Sequence, residues 1–135
     1  MSDALKTIIA RQRMLLQGRL ATALDRLVAP CRMAWPDRSA LEGILLALPG
    51  LASCKYIYVL DAQARQLTSN VSPQGLLPEH YGRDRSQRPY LAEALAGERF
   101  SLSPIYISRN ARRPSLTAIR RVEDEAGQLM GFLGA

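Results

Sequence analysis

The sequence predicts an α+β fold: a five-stranded antiparallel sheet with a long N-terminal helix on one face and a loop-helix segment on the other. Three observations carry this. Apolar residues recur at helical spacing from Asp3 to Val28. The period turns extended at Tyr56-Ile57-Tyr58-Val59-Leu60. Three further extended runs close the chain, each separated by a turn-forming connection.

The first helix, assigned to residues 1–30, places Leu5, Ile8, Ile9, Leu15, Leu16, Leu20, Leu24, Leu27 and Val28 between charged residues, and Pro30 is expected to stop it. About 25 helical residues span ~38 Å, more than the core of a chain this size needs. The first half should therefore project and pair with a second copy, giving a homodimer. A second helix over 38–48 is signalled by Ser39-Ala40-Leu41-Glu42, a capping box, and ends at Pro49-Gly50. Trp35, the only tryptophan, reads as a core plug.

Residues 66–71 return from the first strand after a turn at Asp61–Arg65, and a long loop from Ser72 to Arg85 follows. The stretch Gly82-Arg83-Asp84-Arg85-Ser86-Gln87-Arg88-Pro89-Tyr90 opens a short helix, with Ser86 as its expected cap and Pro89 tolerated in the first turn. Gly97 ends that helix. Strands are expected over 100–108, 115–122 and 129–134. The last ends at Gly134-Ala135 without a polar cap, so the natural chain is expected to continue, with room for a downstream output domain.

At 135 residues the chain fits a single domain, 1–135, able to bury a core without metal or disulfide staples. Its net charge of +6 comes from 18 Lys+Arg against 12 Asp+Glu, and only Lys6 and Lys55 are lysines. Arg offers planar two-pronged contacts to carboxylate and phosphate that Lys does not. Cys31 and Cys54 are isolated thiols and read as free. No signal-peptide pattern and no membrane span is visible, so the expected location is cytoplasmic.

Catalysis is not supported. His80 is the only histidine and lies in a loop, no nucleophile turn accompanies it, and neither nucleotide-phosphate glycine motif is present. No cofactor and no metal are expected. Nucleic-acid binding would need the Arg residues on one face beside stacking aromatics, and here they are spread over helix, loop and hairpin.

The order and spacing of Tyr58-Val59-Leu60-Asp61, Gly82-Arg83-Asp84 with Ser86, Arg88-Pro89-Tyr90 and Ala94, then Ser103-Pro104-Ile105-Tyr106-Ile107-Ser108, Pro114-Ser115-Leu116-Thr117, Gly127 and Gly131, resemble the PAS-like bacterial sensor family of Cache, or PDC, domains. The likeness spans the chain and is specific from about residue 56. It implies a dimerising N-terminal helix, a small-molecule ligand between sheet and loop-helix segment, and a role in signal transduction. The Arg-Pro-Tyr turn looks closest to dicarboxylate-sensing members. Carried over by residue, Asp84, Arg88 and Tyr90 fall at the helix start, Tyr106 and Ser108 on the next strand, and Thr117 on the one after. Most members lie outside the cell between two membrane spans, and this chain shows neither span.

A carboxylate ligand needs a guanidinium or N–H groups to replace its hydration. Charged hydrogen bonds of roughly 1.5–3 kcal/mol each make two or three enough for micromolar affinity. Alternatively, Arg88 pairs with Asp84 or Glu93 and only pins the loop. Arg109, Arg112 and Arg113 are expected on the surface. The competing function is a protein or nucleic-acid interaction module with a vestigial pocket.

Overall fold

The computed structural model describes residues 2–47, 54–104, 106–107 and 114–135, with the backbone alone for 106–107 and 114–115. Helix α1 runs from Asp3 to Ala34, opened by the Ser2 hydroxyl, which accepts the Leu5 N–H at 3.1 Å. Leu20, Leu24, Leu27, Val28 and Cys31 form its buried stripe, at the spacing of one helical face. Pro30 does not stop the helix as the sequence suggested. It lies on the exposed side, where a missing ladder bond meets solvent, and burial of Cys31 beyond it carries the helix four residues further. Burial pushes the Cys31 thiol up to about 11, which leaves it a poor nucleophile. Cys31 and Cys54 are both free.

Helix α2 spans Arg38–Ala47 and buries Leu41 and Leu45. Its N-terminus corrects the capping-box reading. Asp37 Oδ1 accepts the Ala40 N–H at 3.0 Å, and the Glu42 side chain turns away from the cap. It is buried against residues 65–71, accepting the Ser69 N–H at 2.6 Å and Arg38 Nε at 3.1 Å.

The strands are β1 (Tyr58–Asp61), β2 (Asn70–Ser72), β3 (Gly75–Leu77), β4 (Phe100–Leu102), β5 (Tyr106–Ile107), β6 (Pro114–Ser115), β7 (Ala118–Glu123) and β8 (Leu129–Gly134). Four of them form one antiparallel sheet in the order β1-β8-β7-β4. The fifth course is residues 65–71, which run antiparallel along β1 through bridges Ile57–Val71 and Leu60–Gln66. Its ladder is broken at one point by a side chain. The Thr68 hydroxyl accepts the Val59 N–H at 3.1 Å and donates to the Ser69 carbonyl at 2.8 Å, standing between two groups that would otherwise pair directly. The displaced Ser69 N–H is the one taken by Glu42. The last residues of this course enter β2, which turns back into β3 as a hairpin, and a 3-10 turn at Pro78–His80 follows.

Strand alternation sorts the sheet into two faces. Ile57, Val59, Leu102, Ala118, Val122 and Leu133 pack against α1 and α2. Tyr58, Leu60, Ile119 and Phe132 pack against the loop-helix segment on the other side. Trp35 joins the helix-side core over Gly131, where a Cβ would strike both its ring and the Leu60 carbonyl. The Asp25 carboxylate accepts Arg120 Nε at 2.7 Å, tying α1 to β7. Farther out, Arg13 donates to the Leu102 and Ser103 carbonyls at 2.7 and 3.1 Å, a clasp between α1 and the end of β4. Leu5, Ile8, Ile9, Met14 and Leu15 are exposed on the outer half of α1.

Candidate functional site

The site forms where residues 82–95 cross the second face of the sheet. Asp61 Oδ1 accepts the N–H groups of Gln63 and Arg65, both at 2.9 Å, and shapes the turn out of β1. Residues 82–85 then pair antiparallel with 64–66, through Gln66 N–H to the Arg83 carbonyl and Arg85 N–H to the Ala64 carbonyl. In this extended backbone neighbouring side chains point to opposite sides. Asp84 faces solvent, and Arg85 faces inward at 5 % exposure.

Asp84 Oδ1 accepts the Ser86 N–H at 2.9 Å, so Asp84 and not Ser86 supplies the side-chain oxygen that organises the turn. That N–H and the Ser86 hydroxyl lower the Asp84 carboxyl below its ordinary value, with Arg65 and Arg88 adding to the effect. A 3-10 turn at Pro89–Leu91 follows, then helix α3, Ala92–Leu95, ended by Gly97 at φ 118°. Tyr90, Leu91 and Ala94 point down onto Tyr58, Leu60, Ile119 and Phe132. Arg121 Nη1 donates to the Ala94 carbonyl at 2.8 Å and fastens the helix end to β7.

Arg85 is the centre of a buried polar network. Its Nε donates to Gln66 Oε1 at 2.8 Å, Nη1 to the Tyr90 hydroxyl at 2.9 Å and Nη2 to Asn70 Oδ1 at 3.0 Å. Its guanidinium lies over the Tyr58 ring, 4.1 Å from the centroid. Gln66 Nε2 also donates to Asn70 Oδ1, at 2.8 Å, so that oxygen serves two donors. Asn70 Nδ2 is buried and has no hydrogen-bond partner among the described residues. The Tyr58 ring lies flat because Gly134 on β8 has no side chain; a Cβ there would overlap it.

The residues expected at the site divide as follows. Tyr90 is buried in the network and Thr117 is buried on the same sheet face as Ile119, its N–H donating to the Ser103 hydroxyl at 2.9 Å. Arg88 is half-buried at the start of the 3-10 turn, and no hydrogen bond from its side chain ends on a described residue. Asp84 lies on the outer lip. The Tyr106 backbone pairs with Ser115 in the β5–β6 ribbon, while its side chain, Ser108 and the Arg109, Arg112 and Arg113 positions lie outside the described residues. Arg85 was not anticipated. Its signal in the sequence is faint: one of three Arg in the stretch from Arg83 to Arg88, separated from the others only by strand alternation.

The acidic residues hold other partners or are exposed. Each of the 12 belongs to a described segment, because residues 48–53, 105 and 108–113 contain no Asp or Glu. Asp25, Glu42 and Glu123 pair with Arg120, Arg38 and Arg121. Asp37, Asp61, Asp84 and Asp124 accept backbone N–H groups at a helix start or turn. Asp3 opens α1, and Glu79, Glu93, Glu98 and Glu125 are exposed.

His80 sits behind the network, tilted against Tyr56 with ring centroids 6.4 Å apart. Burial lowers its pKa below the ordinary 6.5, as do Arg83 and Arg85, against a smaller opposite pull from Glu79. Burial raises the Glu42 carboxyl, but the Ser69 N–H and hydroxyl and Arg38 outweigh it and hold the group below the ordinary 4.5. Both groups bind a proton more readily when unfolded, so each contributes stability that disappears as pH falls through its shifted pKa. The melting temperature should therefore drop in two stages, first below 6.5 for His80 and then below 4.5 for Glu42. Calorimetry across this range checks it. H80Q should flatten only the upper limb and E42Q only the lower, and a wild-type curve level through both stages contradicts the assignment.

Among the described residues no helix is long and apolar enough to cross a membrane, and no cluster of metal-ligating side chains is present. No protein-family model matches the chain and no curated protein sequence matches it. Solved structures do. A domain of a sensory box/GGDEF family protein from Vibrio parahaemolyticus aligns with a TM-score of 0.72 at 19% identity, covering 98% of this chain and 57% of that one. The ligand-binding domain of the Campylobacter jejuni chemoreceptor Tlp3, in complex with 4-methylisoleucine, aligns with a TM-score of 0.71 at 16% identity, over 95% of this chain and 52% of that one. The corresponding domain of the Pseudomonas fluorescens chemoreceptor CtaA, in complex with L-serine, gives 0.66 at 16% identity, over 100% and 60%. This chain thus spans between half and two-thirds of the length of these three solved chains. The long helix, the antiparallel sheet and the loop-helix segment across its second face constitute the PAS-like, Cache/PDC-type fold of these sensory domains.

Proposed function

We propose that the chain is a ligand-binding sensory module that takes a small carboxylate or amino-acid-like molecule between the sheet and residues 82–95. The observation that carries this reading is Arg85, a guanidinium 5 % exposed, stacked on Tyr58 and bonded to Tyr90 where the loop-helix segment meets the sheet. The likeness to sensory domains crystallised with L-serine and 4-methylisoleucine supports it. In this reading Arg85, Tyr90 and Thr117 line the ligand's inner side. Arg88 stands at the start of the 3-10 turn, Tyr106 and Ser108 are assigned to the ligand by the family resemblance alone, and Asp84 acts by shaping the turn. No enzymatic step is assigned. Occupancy is passed along α1 to an output domain.

The test is a thermal-shift screen with small carboxylates and amino acids. A binder at one hundred times its Kd stabilises the folded state by about 2.7 kcal/mol. R88A should fold as wild type does and lose most of the shift, and no shift for any probe rejects the reading. The exposed Leu5, Ile8, Ile9 and Leu15 recur at helical spacing, as a dimer contact along α1 requires. Sedimentation should give a dimer that I8E and L15E together return to monomer.

A further inference from the structure

The acceptor groups around Arg85 are already engaged by Arg85 itself. Gln66 Oε1, the Tyr90 oxygen and Asn70 Oδ1 each receive one of its N–H groups, and Asn70 Oδ1 receives Gln66 Nε2 as well. Two donors fill Asn70 Oδ1, while Asn70 Nδ2 is a buried N–H donor with no hydrogen-bond partner among the described residues. No buried carboxylate is left to balance a cation beside these groups: among the described residues the one buried acid is Glu42, held by the Ser69 N–H and Arg38. Asp61 and Asp84 accept backbone N–H groups of their own turns, Glu93 on α3 is exposed, and the positions outside the described residues carry no acid.

A buried ammonium group needs an anion or several uncommitted carbonyl oxygens to replace its water. A carboxylate needs the reverse, a cation and N–H or O–H donors. We infer that the site discriminates by charge, accepting small carboxylates that lack an amino group and rejecting the zwitterionic amino acids of the same skeleton. This rests on the reading of the Arg85 network as the ligand site. It separates the chain from the solved domains holding L-serine and L-valine, whose ligands carry an ammonium group.

Matched pairs decide it: 3-methylbutanoate against L-valine, 3-hydroxypropanoate against L-serine, and succinate against L-aspartate, titrated into the wild-type protein by calorimetry at neutral pH. At least one desamino acid should bind about tenfold or more tighter than its amino counterpart, a difference of ~1.4 kcal/mol. Amino acids binding as tightly as their desamino partners, or tighter, overturn the charge discrimination and leave the ligand site standing. If all six compounds fail to bind, both fall. Choline and propylamine serve as cation controls, and binding of either also counts against the inference.

Discussion

R85A should melt roughly 10–15 °C below the wild-type protein, a loss of about 3–5 kcal/mol at the entropy of unfolding typical of a domain this size. Truncation removes three side-chain donors at once and strands their acceptors on Gln66, Asn70 and Tyr90. Each buried group left unpaired costs about 1–3 kcal/mol. Water entering the vacated volume offsets part of this, while the lost stacking on Tyr58 adds to it. R85K keeps the charge but cannot reach three divergent acceptors, so it should recover less than half of the loss. R88A provides the contrast: half-buried, with no side-chain hydrogen bond to a described residue, it should shift stability by less than about 1 kcal/mol. Equal melting temperatures for R85A and R88A would remove Arg85 from the centre of the site.

The second large effect comes from adding one methyl group. G134A places a Cβ inside the Tyr58 ring, which is 4 % exposed and pressed from its other side by Arg85. The ring has no free direction in which to retreat, so the strand must shift or the ring must leave its rotamer. Overpacking of this kind costs about 1–3 kcal/mol, and it should abolish any ligand-induced thermal shift along with it. The same change at Gly43, exposed in α2 with nothing within 4 Å of the added carbon, should stabilise by about 0.5–1 kcal/mol through helix propensity. Two glycine-to-alanine variants thus move in opposite directions, and denaturant melts of the pair read it directly. A G134A protein as stable as wild type would mean the Tyr58 ring is not confined.

Much of the architecture was legible in the chain because it follows from periodicity. The apolar spacing from Leu20 to Val28 predicted the buried stripe of α1, and Leu129–Gly134 appears as a strand with the expected bounds. Local signals that compete with tertiary contacts were less reliable. Glu42 is correctly spaced from Ser39 for a capping box, yet a buried backbone N–H at Ser69 holds the carboxylate more strongly than a solvated helix end does. Residues 66–71 run antiparallel along β1, as the returning strand expected from the sequence, but the Thr68 hydroxyl replaces a backbone partner there, which the sequence did not show. Within the site, Tyr90, named from its motif, is bonded to Arg85, and Thr117, named from the family resemblance, is buried directly before β7. Arg85 itself was not legible, because three arginines in six residues look alike until pairing with residues 64–66 sets which of them faces inward.

The clasp from Arg13 to the end of β4 has a mechanical consequence. A continuous α-helix resists bending over a few turns, so α1 acts as a rod seated in the core at Leu24 and Leu27 and tethered once more at Arg13. When the Ser103 carbonyl moves, the rod must either drop its tether or swing about its seat. Measured from the seat at Leu24, Arg13 lies about 16 Å and Asp3 about 31 Å along the axis, so a displacement at the tether is roughly doubled at the tip.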